Sequence, residues 1–158
     1  MSRSWALAYD PANCTIGAAL AVLGEKWTFL VLREAFNGVR RFEDMQRRIG
    51  APRQVLSERL GLLVSEGILA KQRYQEPGQR ARSEYRLTEK GLDLFPVLAA
   101  LLAWGDKHAA AASGPPVVLT HRDCGEPLHL EARCAAGHVI SSARESSAQP
   151  GPGARRIA

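Results

Sequence analysis

Apolar side chains recur along the first two thirds of the chain mostly at helical spacing. Asp10-Pro11 reads as an N-cap followed by proline at the first helical position. Ile16, Leu20 and Leu23 then mark one face of a helix that Gly24 ends. Trp27, Leu30, Val31, Glu34 and Ala35 outline a second helix to about Phe36, stopped by Asn37-Gly38. Phe42, Met45 and Ile49 stripe a short third helix, with Arg41, Arg47 and Arg48 on its polar side. After Gly50-Ala51-Pro52, the spacing of Leu56, Leu60, Leu63 and Val64 predicts a fourth helix over roughly 52–66. Gln54, Ser57, Glu58, Gly61 and Ser65 lie opposite that apolar row, and Gly67 closes it.

The period then changes. Ile68 to Tyr74 and Ser83 to Leu87 are strand-like, joined by a loop with Pro77-Gly78 and the basic residues Arg80 and Arg82, which predicts a hairpin with a basic tip. Thr88-Glu89-Lys90-Gly91 opens a long fifth helix with Thr88 as N-cap. From Leu94 to Trp104 that helix is apolar nearly all round, so each face needs a cover, and in so small a domain a second copy of the chain is the best one. Pro96 inside it predicts a kink. The pattern defines a mainly α fold with a small β-hairpin, over residues 1–112. A small Cys/His-containing β appendage is expected over 113–140, and the Ser/Ala/Gly/Pro/Arg-rich stretch 141–158 is expected to be disordered.

Composition narrows the class. With 46% hydrophobic and 23% charged residues the 158-residue chain is not wholly disordered. No apolar run reaches the ~18 residues of a membrane helix, and the first ten residues lack the apolar core of a signal peptide. Three cysteines give no disulfide framework, and a reduced cytoplasm is the expected setting. The net charge of +5 is concentrated: residues 33–90 hold 13 Lys/Arg against 8 Asp/Glu, and the remainder is neutral. A basic stretch so confined suits a polyanion, nucleic acid before membrane, although a solvated surface would have the same charge.

Helix, break, helix, then a basic hairpin is the order of a winged helix-turn-helix. In that arrangement the third helix lies across the DNA backbone and braces the fourth, whose N-terminal residues reach base edges in the major groove. Pro52, Arg53, Gln54 and Ser57 stand at the leading end of the fourth helix, with Arg59 one turn on. Gln pairs bidentately with adenine and Arg with guanine. Arg41 opens the bracing helix, and Arg80 and Arg82 suit a minor groove. These eight residues are the candidate DNA contacts. No nucleophile elbow, phosphate-binding glycine loop or paired carboxylates are present, so an enzyme is not expected. The rival is a winged domain kept as a protein-interaction module.

Cys14, Gly24-Glu25-Lys26-Trp27, Arg33-Glu34, Arg40-Arg41-Phe42, Val55-Leu56-Ser57-Glu58-Arg59-Leu60, Glu66-Gly67-Ile68-Leu69 and Glu84-Tyr85-Arg86-Leu87-Thr88-Glu89-Lys90-Gly91 occur in this order. Over about 14–106 the chain resembles the HxlR-type branch of winged-helix bacterial transcription regulators, within the MarR-like superfamily. The resemblance implies a homodimer, formed through the first and last helices, on a pseudo-palindromic operator in double-stranded DNA. Ala51 stands where the family often has serine, which removes a helix-capping hydroxyl.

Cys14 lies near the start of the first helix, where free amides favour a thiolate. The resemblance implies a thiol through which an oxidant or electrophile effector acts, whereas the residue alone reads as a small buried side chain at a dimer seam. In the appendage, His121 and Cys124 have x2 spacing and Cys134 and His138 x3. Similar family members carry a second Cys-x2-Cys-Gly there; this chain has Gly137 in place of that cysteine. The four residues therefore form either a zinc site rebuilt with His138 or a metal-free hairpin.

Overall fold

The computed structural model describes residues 8–75, 77–78 and 81–157. The chain divides into two units, Leu20–Val117 and a second made of Met1–Ala19 with Val118–Ala158. The elements are α1 (Thr15–Leu23), α2 (Lys26–Phe36), α3 (Phe42–Ile49), α4 (Arg53–Ser65), β1 (Leu69–Tyr74), β2 (Arg82–Leu87), α5 (Glu89–Leu92), α6 (Phe95–His108), β3 (Ala132–Arg133) and β4 (Val139–Ile140).

In the larger unit the predicted apolar rows meet. Val31 and Leu32 of α2, Met45 of α3, Leu56, Leu60 and Leu63 of α4, Leu69 of β1 and Tyr85 of β2 are buried together. Phe42 and Ile49, the ends of the α3 stripe, are half-buried against this core. Gly38 and Gly50 take left-handed φ values of 78° and 71°, which turn the chain sharply after α2 and after α3.

Strands β1 and β2 are antiparallel, with Leu69 opposite Leu87 and Tyr74 opposite Arg82. The segment before α3 joins their sheet: Arg41 bridges to Glu84, and the Tyr85 amide donates to the Arg40 carbonyl at 2.8 Å. β2 is thus flanked on both sides, which ties α3 to the hairpin. At the hairpin base, the Thr88 hydroxyl donates to the Gly67 carbonyl at 2.6 Å and accepts from the Gly91 amide at 3.1 Å. A Cβ at position 91 would lie 2.3 Å from the Ile68 carbonyl oxygen, so only glycine fits.

The long fifth helix is not continuous. α5 stops at Leu92 and α6 starts at Phe95, with Pro96 in its first turn. A kink was expected; a break is found. Proline has no N–H for the carbonyl four residues back, here Leu92, and its ring crowds that carbonyl, whereas the first turn of a new helix needs no such donor. One face of α6 lies on the core through Leu94 and Leu98, and Ala99 is buried. Val97, Leu101 and Trp104, on the adjoining stripe, are 46%, 51% and 60% exposed. Among the described residues no single helix is long and apolar enough to cross a membrane.

The second unit differs from expectation. None of its described residues is buried, yet the stretch 141–157, expected to be disordered, carries a 3-10 turn at Ala143–Glu145 and pairs near its end with residues 8–13. The Asp10 amide donates to the Arg155 carbonyl at 2.8 Å and the Ile157 amide to that of Ala8 at 3.0 Å. Backbone groups of any sequence can pair in this way, so a composition poor in large apolar residues gave no sign of it. The first residues group with the appendage in this unit.

Candidate nucleic-acid interface

Helix α4 separates its two jobs by face. Leu56, Leu60 and Leu63 hold it to the core, and Arg53, Gln54, Ser57 and Glu58 stand exposed on the other side. Its cap residue is Pro52, with no side-chain hydrogen bond to the first amides, while Ala51 is buried one step earlier. The cap position thus falls on Pro52, not on residue 51. A helix start of this kind, carrying the positive end of the helix dipole, suits a phosphate oxygen.

A hollow of about 300 Å³ runs between α4 and the hairpin. Arg53 and Ser57 of α4, Lys71 of β1, Arg82 of β2 and Phe42 and Glu43 of α3 line it. The fold therefore brings three sequence candidates, Arg53, Ser57 and Arg82, to one place. The Arg53 guanidinium lies over the Phe42 ring, 4.8 Å from its centroid, a stacking that holds its planar fork outward. Burial, and then the charge of Glu43, raise the Tyr85 hydroxyl above its ordinary pKa, so it stays neutral in this wall.

The other candidates lie apart. Gln54 donates its amide to the Glu58 carboxylate at 3.0 Å, a bond that must open before Gln54 can pair with a base. Arg59 is half-buried. The Arg41 guanidinium sits 4.6 Å from the centroid of the Tyr74 ring and lines a different hollow. Arg80 lies outside the described residues. Lys71 was missed from the sequence; the strand register, Lys71 opposite Tyr85, is the signal that places it in the wall of this hollow.

Helix α2 carries a buried carboxylate. The Glu34 side chain on α2 is 1% exposed and accepts from Arg33 at 2.6 Å and from the Nε of Arg48 on α3. Burial pushes its pKa up, but the hydrogen bonds from Arg48 and Arg33 and their charges prevail and hold it below its ordinary value.

Cys14 is exposed directly before α1; its carbonyl accepts from the Ala18 amide at 3.0 Å. In the appendage, His121 Nδ1 lies 3.3 Å from Cys124 Sγ, and Cys134 Sγ lies 3.5 Å from His138 Nδ1. Two tight turns make these pairs, with Gly125 and Gly137 at φ values of 76° and 86°. No group of three or more His, Cys, Asp and Glu side chains converges among the described residues. Zinc in a structural site takes four ligands, so the pairs as arranged do not fit one. Gly137 serves the turn where the second cysteine of a Cys-x2-Cys pair would stand.

A winged helix-turn-helix with its basic hollow between the reading helix and the wing defines a DNA-binding transcription regulator. A family model described as HxlR-like helix-turn-helix matches residues 22–113, and the chain belongs to that family. It is 44% identical over 141 residues to an uncharacterized HTH-type transcriptional regulator of Mycobacterium tuberculosis H37Rv, covering 88% of this chain and 87% of the relative. Among solved structures it is similar to PA1607, a candidate transcription factor, at 33% identity and a TM-score of 0.79, covering 89% of this chain and 96% of the other. The redox regulator HypR in its reduced form is 26% identical, with a TM-score of 0.53, over 59% of this chain and 91% of the other. The matched proteins are regulators, not enzymes.

Proposed function

We propose that the protein binds a pseudo-palindromic operator in double-stranded DNA as a homodimer. The α4 helix of each copy enters a major groove, and Arg82 with the hairpin tip follows the neighbouring minor groove. The convergence of Arg53, Ser57, Lys71 and Arg82 on one hollow carries this reading. Lys71 and Arg82 seat phosphates and fix register; Arg53 reads a base edge. Pro52 leaves the α4 amides open to a phosphate, and Gln54 reads a base after release from Glu58. Arg59, Arg41 and Arg80 contribute charge along the backbone. The exposed apolar faces of α1 and α6 form the seam between copies.

Fluorescence anisotropy on footprinted promoter DNA tests this. Arg53→Ala should weaken operator binding by about 1–3 kcal/mol, roughly 5- to 150-fold, and relax preference at one position. Lys71→Ala should weaken specific and non-specific duplexes alike and lower the salt slope by about 1. Two protected half-sites about one helical turn apart, or a multiple, are expected. If the wild-type dimer shows no salt-sensitive duplex binding, the domain is an interaction module instead.

Cys14 is the proposed control point for an oxidant or electrophile effector, supported by its exposure at the start of α1. Diamide should change operator affinity in the wild type and leave Cys14→Ser unaffected; equal responses of both proteins would remove Cys14 from control. His121, Cys124, Cys134 and His138 are proposed to work without zinc. Purified protein should hold less than about one zinc per two chains, and a chelator should leave its melting temperature unchanged. Stoichiometric zinc with a lower melting point after chelation would reverse that assignment.

A further inference from the structure

We propose that a second basic hollow, on the flank of α3 away from α4, is a seat for a phosphate group. The hollow measures about 440 Å³ and shares no lining residue with the one between α4 and the hairpin. On α3, residues 42 and 43 turn toward that first hollow, and residues 44, 47 and 48 toward the second. Arg40 and Arg41 reach it from the segment that pairs with β2. Four guanidinium groups therefore face two carboxylates, Asp44 and Glu84.

The two carboxylates offset only part of that charge. Asp44 is held by Arg47, and Glu84 accepts from Arg86, outside the lining, at 2.6 Å. Arg48 is fixed from behind by Glu34, through its Nε. Each guanidinium has five N–H donors, and these pairs engage one nitrogen each of Arg47 and Arg48. The remaining nitrogens of Arg47 and Arg48, with the Arg40 guanidinium, can bind oxyanion oxygens in the bidentate geometry that suits phosphate. A phosphate offers at least three acceptor oxygens to this ring of forks, more than a carboxylate does. Arg41, stacked on Tyr74, and Arg48, pinned by Glu34, are set in place beforehand, which lowers the cost of ordering them on binding.

The phosphate belongs either to the DNA backbone beside a half-site or to a small phosphorylated ligand. The first source rests on the operator-binding reading; the second does not. The test uses the full chain with Arg40→Gln/Arg47→Gln, both exposed positions, and Arg40→Gln alone as a milder variant, with folding checked by circular dichroism. One arm follows a non-specific 30-base-pair duplex across a salt series. The other titrates pyrophosphate calorimetrically without DNA. A backbone seat predicts a salt slope lower by about 1–2 in the double variant and unchanged pyrophosphate heats. A ligand seat predicts saturable pyrophosphate binding that the double variant weakens at least about tenfold, with the slope unchanged. Variants matching the wild type in both arms would overturn the proposal. A wild type that binds no duplex would defeat operator binding alone, and the pyrophosphate arm would then decide the hollow.

Discussion

Leu101→Glu on α6 is expected to turn the proposed dimer into a monomer and to remove most operator affinity with it. Val97, Leu101 and Trp104 fall at i, i+4 and i+7 and stand about half exposed, while the neighbouring stripe of the helix packs on the core through Leu98, with Leu94 just before its first turn. Ile16 and Leu20 of α1 are also exposed. Covering a side chain of this size is worth about 1.5–3 kcal/mol, and a two-fold interface repeats each contact. Replacing Leu101 by a charge loses that gain in both copies and adds the cost of desolvating a carboxylate. A loss of about 5 kcal/mol or more weakens the dimer by over three decades. Sedimentation velocity should show the wild type as a dimer and Leu101→Glu as a folded monomer by circular dichroism, with a lower melting temperature because association no longer adds to its stability. Duplex affinity should fall because only one half-site's contacts remain. A variant that still sediments as a dimer would move the seam off α6.

Why these two faces were readable from the sequence, and other features were not, follows from what each depends on. The α4 face is local: Leu56, Leu60 and Leu63 repeat with the helix period, so Arg53 and Ser57 must point away from the core. Thr88 as a cap was legible for the same reason, since its hydroxyl serves an amide three residues on. The break at Asp93-Leu94 was half legible; Pro96 signals trouble for Leu92, but a kink and a fresh start differ only in what packs around them. Lys71 needed the strand register. The hollow of Arg40, Arg41, Arg47 and Arg48 needed the pairing of Arg41 with Glu84, a contact across 43 positions that no periodicity encodes. The pairing of residues 153–157 with 8–13 uses backbone groups and the Asn13 amide, and leaves almost no mark in residue type. Glu34 was legible as a helix residue but not as a buried anion, because its partner Arg48 comes from another helix.

That buried anion sets the second large effect. Glu34→Gln is expected to lower stability at neutral pH by about 2–3 kcal/mol. Breaking a buried ion pair costs about 3–5 kcal/mol when the remaining charge stays buried; here Arg33 and Arg48 are half exposed and regain water, so the loss falls below that range. The same substitution should change the acid limb of the stability curve. The folded-state pKa of Glu34 is lowered from an ordinary value of 4.5. Its contribution is therefore complete above that value and is lost as pH falls through the lower folded value, where the unfolded chain binds the proton more readily. Urea midpoints measured from pH 7 down to pH 3 should show the gap between wild type and variant widest at neutral pH and closing toward the acid end. Duplex affinity should fall as well, since Arg48 ties α3 to α2, the helix on which α4 also packs. A constant gap across the pH series would mean that the glutamine loses shape or packing rather than charge, and an absent gap would mean that Arg33 and Arg48 do not hold the helices through Glu34 at all.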